Sequence, residues 1–176
     1  DIAVTIGNIG STYYYQEKYE EALRFLNQSL ELKRQTVASN HVSLGHALNN
    51  IGLVYDSQGK YDEAINNYKQ SLEIFYQTLP SNHSEIAITI GNIGSAYYEQ
   101  EKYDEALKYL NQSLELKRQA LPWNHTSIAV TLNEIGSVYR VKGKHEMALD
   151  FYEKSLEIKK KVLPLVHSSI ASTIYN

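Results

Sequence analysis

Residues 84–125 read SEIAITIGNIGSAYYEQEKYDEALKYLNQSLELKRQALPWNH, and this pattern returns along the chain with a period of 42 residues. Shifting the sequence by that period aligns Gly10, Gly52, Gly94 and Gly136, and three places further on Tyr13, Tyr55, Tyr97 and Tyr139. The same shift aligns Ala22, Ala64, Ala106 and Ala148, then Ser29, Ser71, Ser113 and Ser155, and finally His41, His83, His125 and His167. Self-similarity at such a period marks stacked supersecondary units rather than one globular core. Repeats one and three are the most alike, since Gly-Asn-Ile-Gly-Ser and Leu-Asn-Gln-Ser-Leu-Glu-Leu-Lys-Arg-Gln occur in both. Duplication of a two-repeat block accounts for that alternation.

Each unit reads as two helices. Ile86, Ile90, Ile93 and Tyr97 share one helical face, and Ala106, Leu110, Leu114 and Leu121 continue the spacing in a second segment. Between the two, the polar stretches 58–63 and 100–105 place acids where the second helix begins, at the positive end of its dipole. Leu79-Pro80-Ser81-Asn82-His83 and Leu121-Pro122-Trp123-Asn124-His125 join a helix breaker to a residue able to cap the next helix, so they are the turns between units. The Gly10 and Ala22 registers are small because two helices cross there at close range. Ordering a unit costs on the order of 1–2 kcal/mol per residue of backbone entropy, so a lone pair needs neighbours to cover its apolar face. The expected architecture is all-α: a right-handed α-solenoid of tandem helix–turn–helix units. It forms one array over 1–176, with repeats 1–41, 42–83, 84–125 and 126–167 and the first helix of a fifth at 168–176.

Composition narrows the function classes. With 43% hydrophobic and 21% charged residues the chain is expected to fold, and its net charge of −3 comes from acids and bases mixed throughout. No Lys/Arg run forms a phosphate-tracking stripe, which excludes nucleic acid as the expected partner. The absence of Cys removes disulfides, thiolate metal sites and thiol nucleophiles. No stretch is apolar enough to span a membrane and Asp1-Ile2-Ala3 does not open a signal peptide, so a cytoplasmic location is expected. The glycosylation-type sequons at Asn27, Asn82, Asn111 and Asn124 read as by-products of the repeat. There is no Gly-rich phosphate loop, nucleophile elbow or unexplained carboxylate pair, so no catalytic residue, metal or cofactor is expected. The aligned histidines each fall in a different turn and read as structural.

Ile51-Gly52, Tyr55, Tyr61 and Ala64 resemble the signature of the tetratricopeptide family, and the resemblance covers essentially the whole chain. The 42-residue unit, Leu-Asn-Asn-Ile-Gly at 48–52 and the Leu-Pro-x-Asn-His turn are similar to the kinesin light chain subclass. The resemblance implies a protein-interaction scaffold whose first helices line a concave groove for an extended peptide. In that register the groove presents Val4, Gly7, Ser11, Tyr14 and Tyr15, then His46, Asn49, Leu53, Asp56 and Ser57. It continues with Ile88, Gly91, Ser95, Tyr98 and Glu99, and with Val130, Asn133, Ser137, Arg140 and Val141. Asn49, Asn133 and Arg140 match positions at which light-chain repeats contact acidic peptides. Gly7 and Gly91 replace that Asn in alternate repeats, and Asp56 and Glu99 add negative charge, so a mixed apolar and polar peptide is the expected ligand.

The candidate peptide-binding residues are Tyr14, His46, Asn49, Leu53, Tyr98, Val130, Asn133 and Arg140. An amide at Asn49 and Asn133 pairs with both N–H and C=O of an extended strand, and Tyr14 and Tyr98 offer large contact area at low entropic cost. His46 lies on the same face, where its ring is solvated or contacts the ligand. Asn8, Asn50 and Asn92 read as structural, and Tyr13, Tyr19, Tyr55, Tyr61, Tyr97, Tyr103 and Tyr139 read as core. The alternative function is a structural spacer, or an array that self-associates end to end through uncapped terminal repeats.

Overall fold

The computed structural model describes residues 2–36, 41–123, 125–162 and 173. Among them, helices run over Ile2–Tyr15 (α1), Tyr19–Thr36 (α2), Val42–Ser57 (α3), Tyr61–Thr78 (α4), Ser84–Glu99 (α5), Tyr103–Ala120 (α6), Thr126–Val141 (α7) and His145–Val162 (α8). They belong to two compact units, Asp1–Ser81 and Asn82–Asn176. In the first unit α1 packs on α2, α2 on α3 and α3 on α4, and α1 also meets α3; α5 to α8 follow the same order in the second. The expected helix over 168–176 lies outside the described residues apart from Thr173, and so does His167.

Local chemistry explains the helix ends. Acids occupy the first turns of the second helices, with Glu20 and Glu21 in α2, Asp62 and Glu63 in α4, Asp104 and Glu105 in α6 and Glu146 in α8. The aligned histidines His41, His83 and His125 are N-caps whose Nδ1 accepts the backbone N–H of Ser43, Glu85 and Ser127, each at 3.2 Å. Within a pair the chain reverses through one left-handed residue, Glu17 and Glu101 at φ 60°, Gly59 at 72° and Gly143 at 71°. The Lys18 N–H then closes onto the Tyr13 carbonyl at 3.0 Å, satisfying a carbonyl that the helix end leaves open.

The glycine register is the close crossing that the sequence requires. A methyl group on Gly52 would stand 2.6 Å from the Tyr68 ring, one on Gly136 2.7 Å from Tyr152, and those on Gly10 and Gly94 2.8 Å from Leu26 and Leu110. The tyrosines differ from the expectation. Tyr13, Tyr55, Tyr97 and Tyr139, with Tyr19, Tyr61 and Tyr103, are half-buried at the margin of the core; the buried ones are Tyr68 and Tyr152, lying over glycines. Leu121, the half-buried C-cap of α6, packs against the same core as Ala106, Leu110 and Leu114, as expected.

A second register fastens each pair. Buried Ser29, Ser71, Ser113 and Ser155 donate their hydroxyls to the carbonyls of Ala3, Gly45, Ala87 and Ala129, at 2.6, 2.8, 2.6 and 2.7 Å. Each bond ties a second helix to the start of its partner. Ser113→Ala should lower stability by about 1 kcal/mol, the net worth of one such bond, read as a shift of the urea midpoint.

Candidate binding face

In the second unit, α5 and α7 run side by side, and between them opens a pocket of about 180 Å³ lined by Ser95, Tyr98, Glu99, Leu110, Asn133, Glu134 and Ser137. Leu110 of α6 forms its apolar floor and is fully buried. The amide oxygen of Asn133 is shut off from solvent yet receives no hydrogen bond. A buried acceptor left this way costs roughly 1–3 kcal/mol, so it is a feature that needs an explanation. Beside it, the Ser95 hydroxyl donates to the Glu134 carboxylate at 3.1 Å, and Ser137 shares a hydrogen bond with the Tyr152 hydroxyl at 3.1 Å.

Electrostatics set this pocket apart from ordinary solvated surface. Burial pushes the Glu134 carboxyl above the usual range, opposed by the Lys117 ammonium and by the Ser95 hydrogen bond. Lys117, buried and reaching in from α6, donates to Thr131 Oγ1 at 2.7 Å; burial lowers its pKa and the Glu134 charge partly restores it. Burial also raises the Tyr98 phenol, which the nearby Arg140 guanidinium pulls back down. Arg140 itself is exposed and does not line the pocket, and Val130 is exposed at 49% on the same helix.

The first unit carries the equivalent concavity between α1 and α3, lined by Ser11, Tyr14, Tyr15, Leu26, Asn50 and Leu53, but at about 50 Å³ it is much smaller. The Tyr14 hydroxyl shares a hydrogen bond with Ser57 at 3.2 Å and its ring meets Tyr15 edge-on, which fills the space. His46 is exposed with its ring edge-on to Phe75 at 5.1 Å, and Asn49 is half-buried; neither lines the pocket. Of the sequence-derived candidates, the structure therefore joins Tyr14 with Leu53 in one unit and Tyr98 with Asn133 in the other. It leaves His46, Asn49, Val130 and Arg140 outside those pockets.

Sequence reasoning does not single out Glu134 or its partner Lys117. Glu134 occupies the register of Asn8, Asn50 and Asn92, whose amides read as structural, and the change from amide to carboxylate in one repeat is the signal that could have found it. Asn50 and Glu134 both line their pockets, so this register is not confined to the helix packing. Among the described residues no group of His, Asp or Glu is placed to hold a metal ion, and no helix is long and apolar enough to cross a membrane.

Latched helix pairs whose first helices carry a recessed polar and aromatic face define a repeat scaffold of the kind that mediates protein–protein interaction. The chain belongs to the tetratricopeptide repeat family, whose model matches residues 1–77 and 84–161. Its all-α helix–turn–helix fold is similar to that of solved tetratricopeptide-like repeat structures. A putative kinesin light chain protein of Podosopora anserina, with nearly identical tetratricopeptide-like repeats, has a similar structure at 22% identity and a TM-score of 0.79. That match covers 96% of this chain and 80% of that one. BtubC (BKLC) of P. vanneervenii is similar at 16% identity and a TM-score of 0.82, covering 94% of this chain and 67% of that one. The apo form of RapI is similar at 23% identity and a TM-score of 0.79, covering 90% and 56%. No curated protein sequence matches the chain.

Proposed function

We propose that the chain, as an array of four repeats with part of a fifth, binds an extended segment of a partner protein on the face made by its first helices. The observation that carries this reading is the α5–α7 pocket, where a solvent-excluded acceptor, Asn133 Oδ1, stands next to the Tyr98 ring. An extended strand supplies backbone N–H groups able to satisfy an amide oxygen, and a half-buried tyrosine supplies contact area. Tyr14 and Leu53 give the first unit a smaller, more apolar counterpart, with Asn49 on α3 outside that pocket.

Wild-type protein and the Asn49→Ala/Asn133→Ala variant should be compared as baits, with the retained partner's binding segment then titrated as a peptide. The variant is expected to remain helical by circular dichroism and to bind at least about tenfold more weakly, the equivalent of about 1.4 kcal/mol. Equal affinity for the folded variant would remove the first helices from the binding site.

A further inference from the structure

We propose that the α5–α7 pocket receives a basic side chain, lysine or arginine, from the bound segment, a refinement that rests on the peptide-binding reading above. The pocket wall is rich in acceptors. Glu99 and Glu134 bring carboxylates and Asn133 Oδ1 takes no hydrogen bond. The Ser95 hydroxyl already donates to Glu134, and that of Ser137 is engaged with Tyr152. Lysine and arginine carry only donors at their tips, which is the complement of such a wall, and their methylene stems suit the apolar floor at Leu110. A carboxylate from the ligand would instead meet two like charges.

The cations nearby do not fill this role. Lys117 approaches from α6, offsets the Glu134 charge only in part and, held by Thr131 at 2.7 Å, does not line the pocket, while Arg140 lies outside on the exposed surface. The equivalent pocket of the first unit has Asn50 and Tyr15 where the second has Glu134 and Glu99, and it is less than a third the size, at about 50 Å³ against about 180 Å³. Selection for a basic residue is therefore a property of the second unit alone, and one repeat pair differs from its near-duplicate in what it reads.

The test uses the whole chain and a positional-scanning library of short capped peptides in which one site at a time holds lysine, arginine, acetyl-lysine, norleucine or glutamate. Wild type should favour lysine or arginine at one site by about tenfold over acetyl-lysine and norleucine, and reject glutamate there. Glu99→Gln and Glu134→Gln should each reduce that preference and together abolish it, whereas Glu153→Gln on the exposed side of α8 should leave it unchanged. Glu99 is exposed, so its variant reports even if the variant at half-buried Glu134 loses structure. Peptides bound with no preference for a basic residue, or a preference that survives both Gln substitutions, would overturn the inference while leaving the peptide site in place. No binding by any pool would overturn both.

Discussion

Phe75→Ala should destabilise the protein by about 3–5 kcal/mol, the usual cost of emptying a buried aromatic site. Phe75 is fully buried in the first unit and stands in the register that the other repeats give to Lys33, Lys117 and Lys159. At the Gly45 register those repeats carry Ala3, Ala87 and Ala129, and glycine stands only in the repeat where phenylalanine replaces lysine. A methyl on Gly45 would stand 2.5 Å from the Phe75 ring, so the missing methyl makes room for the ring. Gly45→Ala alone should accordingly cost about 1–3 kcal/mol through overpacking. Combined with Phe75→Leu it should cost much less than the sum, because the two side chains are in contact. Urea unfolding of wild type, both single variants and the double variant, followed by circular dichroism, reads the coupling; strictly additive effects would show that the ring and the glycine are not matched.

Lys117→Met should cost about 1–3 kcal/mol near neutral pH, because it removes the charge that offsets the half-buried Glu134 carboxylate and the donor to Thr131. The pH dependence has a definite sign. Burial already holds the Glu134 carboxyl above its ordinary 4.5, and losing the Lys117 charge removes the main opposing influence, so its folded pKa rises further. The folded variant then binds a proton that the unfolded chain has released, and stability falls as pH climbs from about 4.5 through the raised value. Well below pH 4.5 the carboxyl is protonated in both folded and unfolded chains, no charge is stranded, and the variant should approach wild type. Adding Glu134→Gln should recover most of the loss in mildly alkaline buffer. Thermal midpoints across this range check both statements, and a penalty of equal size at acid and alkaline pH would show that Lys117 acts by packing alone.

The helices are legible in the sequence because their cause is periodic: an aligned glycine, a run of acids and a capping histidine recur at one spacing, and each acts within a turn of its own position. Which tyrosines are buried is not legible from their alignment, since burial depends on the size of the residue opposite; Tyr68 and Tyr152 go inside because Gly52 and Gly136 face them. Lys117 reads as a surface residue by type, yet the phenylalanine at its register in another repeat marks that position as inward. Among the candidate site residues, helical register alone finds Tyr98 with Asn133 and Tyr14 with Leu53. It passes over Glu134, because three asparagines set the expectation for the fourth. Helical register finds what repeats and loses what departs, and the proposed selectivity for a basic side chain rests on one such departure, Glu134.

The serine hydroxyl that reaches across each pair has a consequence for how such a protein changes over time. Because the fastening is internal to the pair, a duplicated pair arrives with its own clasp, and no new joint has to be invented to hold it closed. Substitutions on the recessed face of the first helices, such as glutamate for asparagine, alter what is recognised without touching that clasp. Copying and retuning are thus mechanically separate, and a family of interchangeable parts can acquire new partners one side chain at a time.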